Sequence, residues 1–121
     1  MGRRGVVRAA LTGGKLRVEL ACPVDALAAA RPPVPVPAID VSLEDDTGGN
    51  PLRLGTIRPE GSAWRAHDLA VPEEVSAALG GRAVRIVLAS DTTWKPAAVR
   101  PGSRDERELS VEVFRIGFVK E

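Results

Sequence analysis

Cysteine, histidine and aromatic residues are nearly missing from this chain of 121 residues, which has one Cys22, one His67, no tyrosine and four aromatic rings in all. A lone cysteine cannot close an internal disulfide. One Cys beside one His cannot supply the four ligands of a zinc site, so disulfide-scaffold and metalloenzyme readings fall together, and no cofactor is expected. Charge of one sign is missing too: 17 Lys+Arg face 16 Asp+Glu, a formal net charge of +1. Such a balance gives no field that would draw the chain onto nucleic acid or an anionic membrane. No window approaches eighteen consecutive apolar residues, which excludes a membrane-spanning helix. The opening MGRRGVVRAALTGG starts like a signal peptide, but Arg8 interrupts its apolar run. It therefore reads as mature sequence, with the cytoplasm as the default location.

What is present is an apolar fraction of 44% in 12.8 kDa, enough to close one core and too little for two. Residues 1–121 are expected to form a single β-sandwich domain. Leu16, Val18, Leu20 and Cys22 alternate with Lys15, Arg17 and Glu19, the two-residue period of a strand with one wet face. Val6 to Leu11 precedes it across Thr12-Gly13-Gly14, which predicts an antiparallel hairpin. A short helix fits residues 26–30, and RPPVPVP at 31–37 can only be an extended connector. Ile39, Val41 and Leu43 pair with the run from Leu52 in a second hairpin across the turn-rich segment 44–50.

Residues 64–71 read as a strand in which Trp64 falls out of phase with Leu69 and Val71, so a bulge or a surface Trp is required. Pro72 to Gly80 reads as a short crossover helix with proline and acids at its start. Strand 82–90 is apolar on both faces and is expected centrally, next to strand 109–118. In the last strand Leu109, Val111 and Val113 change phase before Ile116 and Phe118, which places one extra residue near Phe114. The sum is an all-β antiparallel sandwich, jelly-roll-like, with one short crossover helix.

The connection from Ser90 to Val113 is too long for a tight hairpin and specific in its residues. It runs Ser-Asp, an aromatic, a proline two positions later, Pro-Gly-Ser, Asp-x-Arg-x-Leu and an alternating valine strand. This order resembles the galactose-binding-like jelly-roll domain attached to bacterial glycosyltransferases and surface-polysaccharide proteins. Asp91, Trp94, Pro96, Pro101, Gly102, Ser103, Asp105, Arg107 and Leu109 fill the corresponding places, and Ser110 stands where those relatives have glycine. The sequence Leu-Ala-Val-Pro, a short helix and Arg-Ala-Val-Arg-Ile-Val-Leu extend the likeness over residues 36–118, with the sharp motif confined to 90–113. The resemblance implies a noncatalytic carbohydrate-associated module that binds glycan or positions a glycosyltransferase of cell-surface polysaccharide assembly.

A pyranose packs its C–H face on an exposed aromatic ring, while Asp and Arg direct hydrogen bonds to its hydroxyls. Trp94, Asp91, Asp105, Arg107 and Trp64 carry those chemistries and are the candidate ligand-binding residues, with Trp94 as the platform. The plainer assignments stand beside these: Asp105 and Arg107 as anchors of their own loop, and Trp94 as a core ring in a chain short of aromatics. His67 and Asp68 are neighbours on a strand and point to opposite faces, so they make no catalytic pair and His67 is expected at the surface. Glu44, Asp45 and Asp46 with Gly48, Gly49 and Asn50 are oxygen-rich but lack the spacing of a calcium loop and read as a solvated turn. The competing readings are a structural or protein-interaction sandwich with no sugar site, and a small hydrolase or lyase, which lacks a base within reach of a nucleophile. Nothing in the residues fixes the oligomeric state.

Overall fold

The computed structural model describes residues 1–49 and 51–120. Seven strands among them make two antiparallel sheets. β1 (Arg4–Ala10), β6 (Ala83–Ser90), β3 (Ile39–Asp45) and β4 (Leu52–Ile57) form one, in that order; β5 (Arg65–Ala70), β2 (Lys15–Ala21) and β7 (Glu112–Val119) form the other. Most neighbours are not consecutive in the chain, so the sandwich is built by crossovers between the sheets. The inward stripes of β2 (Leu16, Val18, Leu20), β3 (Ile39, Val41, Leu43) and β6 (Val84, Ile86, Leu88) build one core cluster between the sheets. Burying such side chains contributes about 1.5–3 kcal/mol each, which is why the two-residue period of the sequence decides the architecture.

Helices are minor: α1 (Val24–Ala29) and α2 (Glu73–Leu79) lie where a short helix and the crossover helix were expected, and α3 (Pro96–Val99) is additional. The third is one turn, opened by Pro96 at its first position, where a fixed φ and a missing N–H cost nothing. α1 is sealed by Leu27, which is fully buried and whose carbonyl accepts from Val34 N at 3.0 Å, so the proline-rich connector is strapped against it.

Two expected pairings are corrected. Strands β1 and β2 do not form a hairpin. β1 pairs with β6 over Arg4–Ala10 while β2 lies in the other sheet between β5 and β7. The Gly-Gly pair serves close approach instead of a turn: a Cβ on Gly13 would lie 2.2 Å from the Val119 carbonyl oxygen as the chain crosses between sheets. β6 does not neighbour β7 either. Its two edges are occupied by β1 and β3, a central position that suits a strand apolar on both faces. Leu109 stands outside β7 and forms an isolated bridge with Trp94.

The hairpin of β3 and β4 forms, with an irregularity between Val41 and Ser42. The phase change in the last strand is a bulge at the expected residue: Glu19 pairs with Arg115 and Leu20 with Val113, so Phe114 is left over. Phe114 and Arg115 consequently both point outward and both are exposed.

Candidate functional site: a polar groove beside an exposed aromatic pair

The connection from β6 to β7 is closed at its base by the bridge between Trp94 and Leu109, whose N–H groups each donate to the other residue's carbonyl at 2.8 Å. Inside it, Ser103 N donates to Arg100 O at 3.1 Å and Gly102 has φ +81°. This is a type II turn with proline and glycine at the positions that geometry prefers. Ala97 N donates to the Asp105 carbonyl at 2.9 Å and ties the two arms together.

The Asp105 carboxylate accepts from Arg107 N at 3.0 Å and, in a two-pronged pair, from the Arg107 guanidinium at 2.6–3.0 Å. These bonds hold the Asp105 carboxyl down at about 2, with the Arg107 side chain as the largest cause. Asp105 and Arg107 thus do serve as loop anchors, and their pairing leaves them partly committed before any ligand arrives.

Trp94 is corrected as a platform. It is only 7% exposed, belongs to the core cluster, and its indole N–H donates to Ser110 O at 2.9 Å. A large ring with its polar tip bonded to backbone is a packing residue. Arg100 closes over it, with the guanidinium carbon 5.9 Å from the ring centroid. Ser110, the departure from glycine in the motif, is fully buried, and its hydroxyl bonds the Gly2 carbonyl at 2.7 Å, which gives the side chain a structural reason.

Between this loop, the start of α1 and the ends of β2 and β7 runs a groove of about 780 Å³. Its walls carry Asp25, Ser62, Arg100, Ser103, Asp105, Arg107 and Glu112 over a floor that includes Ala21, Cys22 and the edge of Trp94. Three of the sequence-chosen residues, Trp94, Asp105 and Arg107, meet here. Asp91 does not: its carboxylate accepts from Ala38 N at 2.9 Å and its own N–H donates to Ala38 O, so it clamps the entrance to β3. Cys22 lies beneath the groove and burial pushes its thiol up to about 11, a pKa that leaves it uncharged and unreactive near neutrality.

Trp64 lies outside the groove wall and is 56% exposed. Phe114, at the bulge, is equally exposed, and their ring centroids are 6.4 Å apart at an interplanar angle of 50°. Half of the aromatic rings in the chain therefore meet in water on the outer side of the three-stranded sheet. Sequence reasoning named Trp64 and missed Phe114; the signal was the phase change in the last strand, which already turned Phe114 outward.

The other candidates are taken up by the protein. Asp68 forms an ion pair with Arg17 at 2.8 Å, on the face opposite His67, as strand alternation requires. His67, expected at the surface, is half-buried, lies opposite Val18 and borders a second cavity of about 270 Å³. In the turn after β3, Asp45 Oδ1 accepts from Thr47 N and Gly49 N, Asp46 pairs with Arg8, and Glu44 lies 3.7 Å from Arg85. Asn50 of that turn lies outside the described residues. Among the described residues no helix is long and apolar enough to cross a membrane. Compared with known proteins, the chain matches no family model, no curated protein and no solved structure.

Proposed function

We propose that the protein is a noncatalytic glycan-binding module, and that its contact with sugar is made by Trp64 and Phe114 with the adjoining groove. The observation that carries this reading is the exposed ring pair. Trp64 and Phe114 are each 56% exposed and touch one another, and clustered rather than scattered apolar side chains are where an interaction surface is sought. Tilted rings offer C–H stacking faces, and beside them the groove supplies carboxylates, hydroxyls and guanidinium groups suited to sugar hydroxyls. Service to a glycosyltransferase of cell-surface polysaccharide assembly is part of the same proposal and is supported by the motif at residues 90–113.

A glycan array followed by titration against Trp64→Ala tests it. The parent is expected to bind with millimolar to micromolar affinity, since a shallow surface buries little ligand. The variant is expected to lose at least about tenfold, which is 1.4 kcal/mol. A parent that binds no glycan retires the reading in favour of a protein-interaction sandwich, for which the same ring pair would be the docking surface.

A further inference from the structure

Resting on that reading, we infer that the ring pair and the groove are one continuous site, and that its ligand is a stretch of neutral oligosaccharide longer than one sugar. The argument is the register of the three-stranded sheet. Leu20 lies opposite Arg65 and Ala21 opposite Glu112. Arg65 opens β5, Trp64 is the residue just before it, and Ser62, two residues earlier, lines the groove with Ala21. Ala21 and Glu112 both wall the groove. The bulge in β7 then adds Phe114 to the same outer face as Glu112, two residues along. A bulge re-aims a side chain at the cost of a local break in the ladder, and here the re-aimed side chain is the partner of Trp64. The rings therefore stand at the mouth of the groove.

Size and charge choose the ligand. A groove of about 780 Å³ falls in the range that holds a drug-sized molecule, so a single sugar on the rings would leave it empty. The Asp105 and Arg107 charges cancel in their pair. What remains for a ligand is Arg100, whose guanidinium has no ion-pair partner among the described residues, and the Met1 ammonium, which donates to Val111 O at 2.9 Å, with the Asp25 and Glu112 carboxylates. Two carboxylate acceptors and two cationic donors, whose charges cancel, suit the hydroxyl groups of a neutral chain. An acidic chain would find no excess of positive charge there to hold it.

The test is a length series: gluco- and manno-oligosaccharides of one to six units, with a galacturonate hexasaccharide beside them, titrated at low and high salt. Amide NMR shifts report the site. Affinity is expected to rise about tenfold or more from one unit to four, to change little with salt, and to be weaker for the galacturonate. Phe114→Ala and Arg100→Ala, both changes of exposed side chains, should each return the hexasaccharide toward the affinity of the monosaccharide while the amide spectrum away from the site stays that of the parent. A monosaccharide bound as tightly as the hexasaccharide, or galacturonate bound more tightly than the neutral chains, overturns the inference and leaves the glycan-binding reading standing. Silence with every sugar removes both.

Discussion

Trp94 and Trp64 show how far one residue type can divide between structure and function. The buried Trp94 fills core volume and bonds the Ser110 carbonyl. Trp94→Ala is therefore expected to cost about 3–5 kcal/mol of stability, read as a fall in the denaturation midpoint. Trp64→Ala, at an exposed position, should stay within about 0.5 kcal/mol of the parent. Equal losses in the two variants would contradict the division. Asp105 gives a second residue-scale expectation. Its carboxyl is held at about 2 in the folded protein by Arg107, against an ordinary value of 3.8. A depressed folded pKa means that the contribution to stability is present above the ordinary value and is lost as pH falls from about 4 toward 2. Carboxyl NMR of Asp105 should titrate near 2 and move back toward 3.8 in Arg107→Gln; an ordinary midpoint in the parent would show that the pair is not formed in solution. Cys22, buried with its thiol raised to about 11, should resist thiol reagents at pH 8 in the native protein and react once it is unfolded.

At the level of elements, the crossing between β1 and β2 makes the sharpest demand on sequence. Gly13 passes so close to Val119 that any side chain would strike its carbonyl. Gly13→Ala is expected to cost about 1–3 kcal/mol, the usual penalty of overpacking; a melting temperature like that of the parent would show that the crossing is looser than described. The same crossing explains what the residues alone concealed. Alternation in β2 and β6 is legible because it reports which side of a strand is buried, and burial is local. Partner choice is not local: Thr12-Gly13-Gly14 has the composition of a hairpin turn, and only the pairing of β1 with β6, some eighty residues later in the chain, reveals it as a crossover. Phase irregularities were more informative than regular runs. Those at Trp64 and at Phe114 marked two exposed residues, one just before β5 and one at the bulge of β7, and these form the ring pair. Of the loop motif's residues Asp105 and Arg107 line the groove, while the burial of Trp94 depended on its bridge to Leu109 and on the covering Arg100, which spacing does not encode.

For the whole molecule, one core holds two sheets whose outer faces differ. The four-stranded sheet is laced with ion pairs, Arg8 with Asp46 and Arg53 with Asp40 among them. Such exposed pairs contribute little to stability, and Val6 is the exposed large apolar side chain of that sheet among the described residues. The three-stranded sheet carries Trp64 and Phe114 at the end where the groove opens, so the binding surface sits on one side and one end. The most direct measurement is an amide-shift map of the isotopically labelled protein titrated with the tightest neutral oligosaccharide found. Shifts are expected in residues 21–25, 62–66, 100–107 and 112–115, with β1, β6, β3 and β4 unmoved, and they should collapse in Trp64→Ala. Shifts confined to the four-stranded sheet, or a map unchanged in Trp64→Ala, would contradict the account.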